Sequence, residues 1–193
     1  TVRIRDAGGN EQLAPLFFVS PNQINYLLPG GLAVGGATVT IRAGDGRTSI
    51  GQIRIERVEP GLFAANANGQ GVMSALALRV RANGELVYEE LSRFNAASAS
   101  FVPLPLDLCP ATDQVYLIVF GTGFRNHNGV ANVSATLGNT TIPVLFAGAQ
   151  GDFIGLDQLN LGPIPRGLAG QGPVNLTVRV EGKTSNVVSL TIR

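Results

Sequence analysis

An all-β fold follows from three observations. Apolar and polar residues alternate at period two along most of the chain, glycine- and asparagine-rich turns separate the alternating runs, and helical patterning is scarce. Val2 and Ile4 alternate with Arg3 and Arg5; Val39 and Ile41 alternate with Thr38, Thr40 and Arg42. Val174, Leu176, Val178 and Val180 alternate with Asn175, Thr177 and Arg179, and Val188, Leu190, Ile192 follow. Each run reads as a strand with one buried and one wet face. The punctuation falls at Ala7-Gly-Gly-Asn10, Gly44-Asp-Gly46, Ala82-Asn-Gly84, Leu137-Gly-Asn139 and Glu181-Gly-Lys183. Only Glu85–Arg93 is compatible with a turn or two of helix. Many short strands with regular turns imply a β-sandwich or barrel.

An internal repeat organises the chain. Phe18-Val-Ser-Pro-Asn-Gln-Ile-Asn25 matches Phe153-Ile-Gly-Leu-Asp-Gln-Leu-Asn160 at a constant offset. Pro29-Gly-Gly-Leu-Ala33 then matches Pro165-Arg-Gly-Leu-Ala169, and Gly46-Arg-Thr-Ser49 matches Gly182-Lys-Thr-Ser185. The strand and turn from Val2 to Gly9 correspond to Val133–Asn139. Two related β-sandwich units are therefore expected, residues 1–58 and 111–193. Residues 59–110 form a connecting segment with a β-hairpin, free to complete either sandwich. Within it, Asn95-Ala-Ala-Ser-Ala-Ser100 has the composition of a linker, and the prolines of Val102-Pro-Leu-Pro-Leu106 favour an extended edge.

The repeat is lopsided. A strong strand, Val115–Phe120, precedes the second copy and ends in Gly121-Thr-Gly-Phe124. The first copy starts at Thr1, level with about residue 132 of the second, and has no room for that strand. The gap would be filled by the middle segment folding back, by a removed upstream sequence, or by a strand from another subunit. Val2, Ile4, Val39 and Ile41 are accordingly the candidate intersubunit strands.

Composition narrows the partners. Of 193 residues, 14% are charged, with 45% hydrophobic, mean hydropathy +0.22 and net charge +1. That is too apolar for disorder, and too nearly neutral to advertise nucleic acid. No apolar run approaches the roughly 20 residues of a transmembrane helix. A surface this poor in charge favours association with another protein.

The residues offer little chemistry. One cysteine, Cys109, and one histidine, His127, build no zinc or iron–sulfur site. Cys109 reads as a small apolar filler and His127 as an exposed loop residue. No Gly-x-Ser-x-Gly elbow is present. Glu89 and Glu90 would point to opposite faces of a strand. Asp45, Asp152 and Asp157 lack the dense oxygen spacing of a calcium loop. No catalytic residue, metal site or cofactor is expected. The repeated pairs Gln23/Asn25 and Gln158/Asn160 share a strand face and read first as structural, their amides satisfying loop backbone.

Phe17-Phe-Val-Ser-Pro-Asn-Gln-Ile-Asn25 with Pro29 resembles the YVSPGQIN…VP motif of a C-terminal domain family from large secreted proteins of Solibacter and related acidobacteria. Asn22 stands where that motif has Gly. Pro60-Gly-Leu-Phe63, Val119-Phe-Gly-Thr-Gly123, Ala147-Gly148, Gln158-Leu-Asn160 and Thr184-Ser-Asn186 are similar to the same pattern in order. Tyr116–Phe124 and the terminal strands also resemble Ig-like modules of surface receptors and adhesins. The resemblance implies two Ig-like units, export and an extracellular or cell-surface location. It implies no reaction. The expectation is a non-enzymatic, self-associating structural subunit of a filament or layer. The alternative is a carbohydrate- or cell-wall-binding adhesion module at the C-terminus of a larger exported protein. The absence of Trp and the dispersal of Tyr26, Tyr88 and Tyr116 weigh against that alternative.

Overall fold

The computed structural model describes residues 1–193. Strands take up 51% of the chain and helix 3%. All the strand pairing is antiparallel apart from two isolated bridges, as expected of hairpin-linked, half-wet strands. Residues 1–57 and 58–193 form two compact units.

The first unit contains β1 (Val2–Arg5), β2 (Glu11–Leu13), β3 (Leu16–Val19), β4 (Ile24–Tyr26), β5 (Gly35–Arg42) and β6 (Thr48–Ile55). Four of them make one sheet in the order β2-β1-β5-β6, while β3 and β4 form a separate hairpin. Val2, Ile4, Ala37, Val39 and Ile55 are buried in one cluster, and Ile24 and Tyr26 of the hairpin pack against it. Asp6 fastens the turn after β1 to the loop before β5. Its carboxylate accepts from the backbone N–H of Ala33 at 2.7 Å, Gly8 at 2.9 Å and Asn10 at 2.9 Å. Those donors, Ala33 foremost, hold its pKa below the ordinary 3.8 against the opposing effect of burial.

The candidate intersubunit strands are corrected by this sheet. β1 is paired on one side by β2 and on the other by β5, and β5 is paired by β1 and β6. Val2, Ile4 and Val39 are 1%, 0% and 6% exposed. These residues, with the half-buried Ile41, belong to interior strands that have no free edge to offer. Alternation reports which face is buried and says nothing of which strand lies alongside.

The second unit contains β7 (Gly61–Leu62), β8 (Ala75–Val80), β9 (Leu86–Glu90), β10 (Ser92–Asn95), β11 (Ser100–Pro103), β12 (Gln114–Thr122), β13 (Val133–Leu137), β14 (Thr140–Ile142), β15 (Val144–Ala149), β16 (Asp157–Leu161), β17 (Gly172–Val180), β18 (Lys183–Thr184) and β19 (Val188–Ile192). One sheet runs β15-β16-β12-β8-β9, with β7 also on β12; the other runs β14-β13-β17-β18, with β19 also on β17. Leu117 and Leu159 from the first and Leu176 and Leu190 from the second meet in a single buried cluster, which makes this unit a sandwich. The order β14-β13-β17 matches β2-β1-β5 of the first unit, and β18 and β19 together lie along β17 as the single strand β6 lies along β5.

Residues 59–110 complete the second sandwich, because β8 pairs with β12 along six positions from Gln114↔Val80 to Val119↔Ala75. The helical turn compatible with Glu85–Arg93 is not formed. Asn83-Gly84 closes a hairpin instead, and Leu86–Glu90 pairs with Val80–Leu76. Val87 and Tyr88 favour that extended state. The linker-like Asn95–Ser100 is the turn between β10 and β11, where Phe94 and Phe101 meet edge to face at 5.5 Å.

β12 is the centre of the second unit. Val115, Leu117 and Val119 are 3%, 0% and 0% exposed. Truncation of Leu117 to Ala leaves a core cavity costing about 2–5 kcal/mol. Denaturant unfolding of the Leu117→Ala chain is expected to show that loss in residues 58–193. Unchanged stability would contradict the central placement of β12.

Candidate interaction edge

The two hairpins β3–β4 and β15–β16 are built alike. Leu16 pairs with Tyr26 and Phe18 with Asn25, leaving a bulge at Phe17; Val144 pairs with Leu161 and Phe146 with Asn160, leaving a bulge at Leu145. A bulge at the same register in both copies is a fold device, since it bends the strand over its sheet. The repeated amides also behave alike. Gln23 Nε2 donates to Asn25 Oδ1 at 2.7 Å, and Gln158 Nε2 donates to Asn160 Oδ1 at 2.8 Å. The expected contact of these amides with loop backbone is replaced by a bond within each pair.

What differs is the neighbour. In the second unit β12 lies against the outer edge of β16, with Leu117↔Leu161, Ile118↔Asn160, Val119↔Leu159 and Phe120↔Gln158. In the first unit nothing pairs with the outer edge of β4. Burial records the consequence. Leu159 and Leu161 are both 0% exposed, whereas their counterparts Ile24 and Tyr26 are only half-buried, and Gln23 and Asn25 are exposed.

The region around this edge is apolar. Phe17, Phe18 and Val19 are 54%, 49% and 61% exposed. No charged residue occurs from Gln12 to Ile41. Free sheet edges are ordinarily protected by charge, especially Lys, or by proline. Here Pro21 and Pro29 bracket β4 and limit its length, but the strand itself carries no charge. This uncharged stretch was visible in the sequence as a gap between Glu11 and Arg42.

The end of β12 shows what a completed edge requires. Asp157, 0% exposed, accepts from the Phe124 N–H at 2.9 Å and the Arg125 N–H at 3.2 Å, and pairs with Arg125 Nε at 2.5 Å. Gly123 sits at φ 81°, where a Cβ would lie 2.0 Å from the Glu59 carbonyl oxygen. The first-copy counterpart of Asp157 is Asn22, which is exposed.

The remaining candidates have structural surroundings. His127 is half-buried rather than exposed: Nε2 lies 2.8 Å from the Ala147 carbonyl oxygen, while Nδ1 is buried with no partner. Cys109 is exposed rather than a filler. Asp45 pairs with Arg47, and Asp152 accepts from Gln150. One charge cluster was not anticipated. Arg79, 7% exposed, donates to Glu89 at 2.5 Å and to the carbonyls of Cys109 at 2.9 Å and Asp107 at 2.6 Å. Asp113 lies 3.7 Å away. The Glu89 hydrogen bond raises the Arg79 pKa. The Cys109 N–H foremost, with Arg193, lowers that of Asp107. Arg79 thereby staples the segment before β12 to β8. An arginine at a buried position of an otherwise apolar strand was the available signal.

No family model, no curated protein and no solved structure matches the chain.

The Asp157 anchor gives a paired prediction. Asp157→Ala strands the buried Phe124 N–H and should cost about 1–3 kcal/mol. Asn22→Ala, at an exposed position, should stay within about 0.5 kcal/mol of the parent. Thermal unfolding of the two variants reads the difference; equal losses would mean that the two positions are equally engaged.

Proposed function

We propose that this chain is a non-enzymatic extracellular structural protein, a subunit that assembles with copies of itself or with a neighbouring protein through strand contacts between Ig-like units. The observation that carries this reading is the unpaired, uncharged outer edge of β4. No strand pairs with its backbone groups, and Ile24 and Tyr26 remain half-buried where their counterparts are fully covered. Covering a partly exposed apolar side chain returns a fraction of the roughly 1.5–3 kcal/mol that full burial is worth.

The resemblance of Phe17–Asn25 to a motif of exported acidobacterial proteins is the ground for proposing a bacterial extracellular or cell-surface setting. A filament or layer is the form that repeated head-to-tail contacts would take, since a heterologous interface stays open unless its rotation closes a ring. The carbohydrate-binding alternative has less support. Tyr88 is exposed, but Tyr26 is half-buried against the first core and the Tyr116 hydroxyl donates to Gln114 at 2.7 Å.

Sedimentation velocity of the intact chain over a wide concentration range is expected to show growing species. Added salt should leave that growth unchanged or increase it, because apolar and backbone contacts are not screened. A single monomeric species at every concentration would contradict the assembly reading.

A further inference from the structure

We infer that the occupant of the β4 edge is one extended strand from another polypeptide, uncharged and apolar at alternate positions, lying antiparallel to β4 in the register β12 takes on β16. The inference rests on the assembly reading and adds the chemistry and orientation of the partner.

The second unit supplies the template. With Gln23, Ile24, Asn25 and Tyr26 equivalent to Gln158, Leu159, Asn160 and Leu161, the residue opposite Ile24 takes the place of Val119. The residue opposite Tyr26 takes the place of Leu117. Both template side chains are 0% exposed, so their equivalents would enter the first core beside Ile24 and Tyr26. The residues opposite Asn25 and Gln23 take the outward places of Ile118 and Phe120. Antiparallel pairing satisfies the backbone of both strands, and pockets at alternate positions give the selection.

Length and charge follow from β4 itself. Pro21 and Pro29 interrupt pairing at either end, so the incoming strand spans no more than about seven residues. No charge lies between Gln12 and Ile41, so a charged inward residue would be buried without a counterion.

The test adds a synthetic peptide with the sequence Gln114–Thr122, carrying a solubilising lysine tail, to the intact chain. Fluorescence anisotropy measures binding, and amide hydrogen exchange locates it. Saturable binding is expected, with new protection at the amides of Ile24 and Tyr26, which face away from β3, whereas the Gln23 and Leu27 amides are already bonded to Ser20 Oγ and the Pro15 carbonyl. Replacing the peptide's counterpart of Leu117 by Asp should weaken it roughly tenfold or more; this variant leaves the protein's own folding untouched. Absence of binding overturns the inference, as does protection at any other edge or equal binding of the Asp peptide. If the peptide fails while the chain still forms large species, the strand inference falls and assembly stands. If the peptide binds at residues 23–27 while the chain sediments as a monomer throughout, the strand inference stands and self-assembly falls.

Discussion

A strand in the middle of a sheet must find hydrogen-bond partners on both sides, and β12 is where this chain meets that requirement. It takes β16 along one edge and β8, with β7, along the other. The surrounding features serve that placement. Asp157 closes the turn after it, Gly123 lets the Glu59 backbone approach, and Arg79 ties residues 107–113 to the neighbouring strand. Arg166 adds a second tie from its guanidinium to the Leu108, Pro110 and Asp113 carbonyls. Charges that look scattered along the sequence thus converge on the entry to one strand.

The first unit has the same four-strand sheet and the same bulged hairpin without that central strand. Its core comprises six buried apolar residues, Val2, Ile4, Ala14, Ala37, Val39 and Ile55. A body of 57 residues buries a smaller share of its surface than a larger domain does and is marginal by that measure alone. Its apolar excess therefore lies on the hairpin that would flank a missing strand. The absence of charge across residues 12–41 removes the usual protection of an edge.

Much of the fold was legible because period-two alternation and turn residues are local signals. Val174–Val180 and Val188–Ile192 read correctly from their own side chains. The repeat also drew attention to the first copy's lack of a counterpart of Val115–Phe120. Its location was not legible. The gap in the first copy placed the candidate edge at Val2, Ile4, Val39 and Ile41, yet their clear alternation marks strands that are well covered. The exposed edge lies at Ile24–Tyr26, a three-residue strand too short to show a period. Pairing partners lie far apart in sequence, as with Asp157 and Phe124, and single-residue patterns do not encode them. Cys109 and His127 were misjudged for the same reason, since their exposure depends on the segments packed around them.

Amide hydrogen exchange on the dilute chain, resolved at residues 23–26 and 158–161, addresses the central claim most directly. Both segments come from the same motif and are read in the same molecule. An open β4 edge predicts fast exchange at the outward amides of Ile24 and Tyr26 beside slow exchange at their counterparts Leu159 and Leu161. Equal, strong protection of the two segments at the lowest concentration would contradict the account, because it would mean that β4 is already paired within the chain.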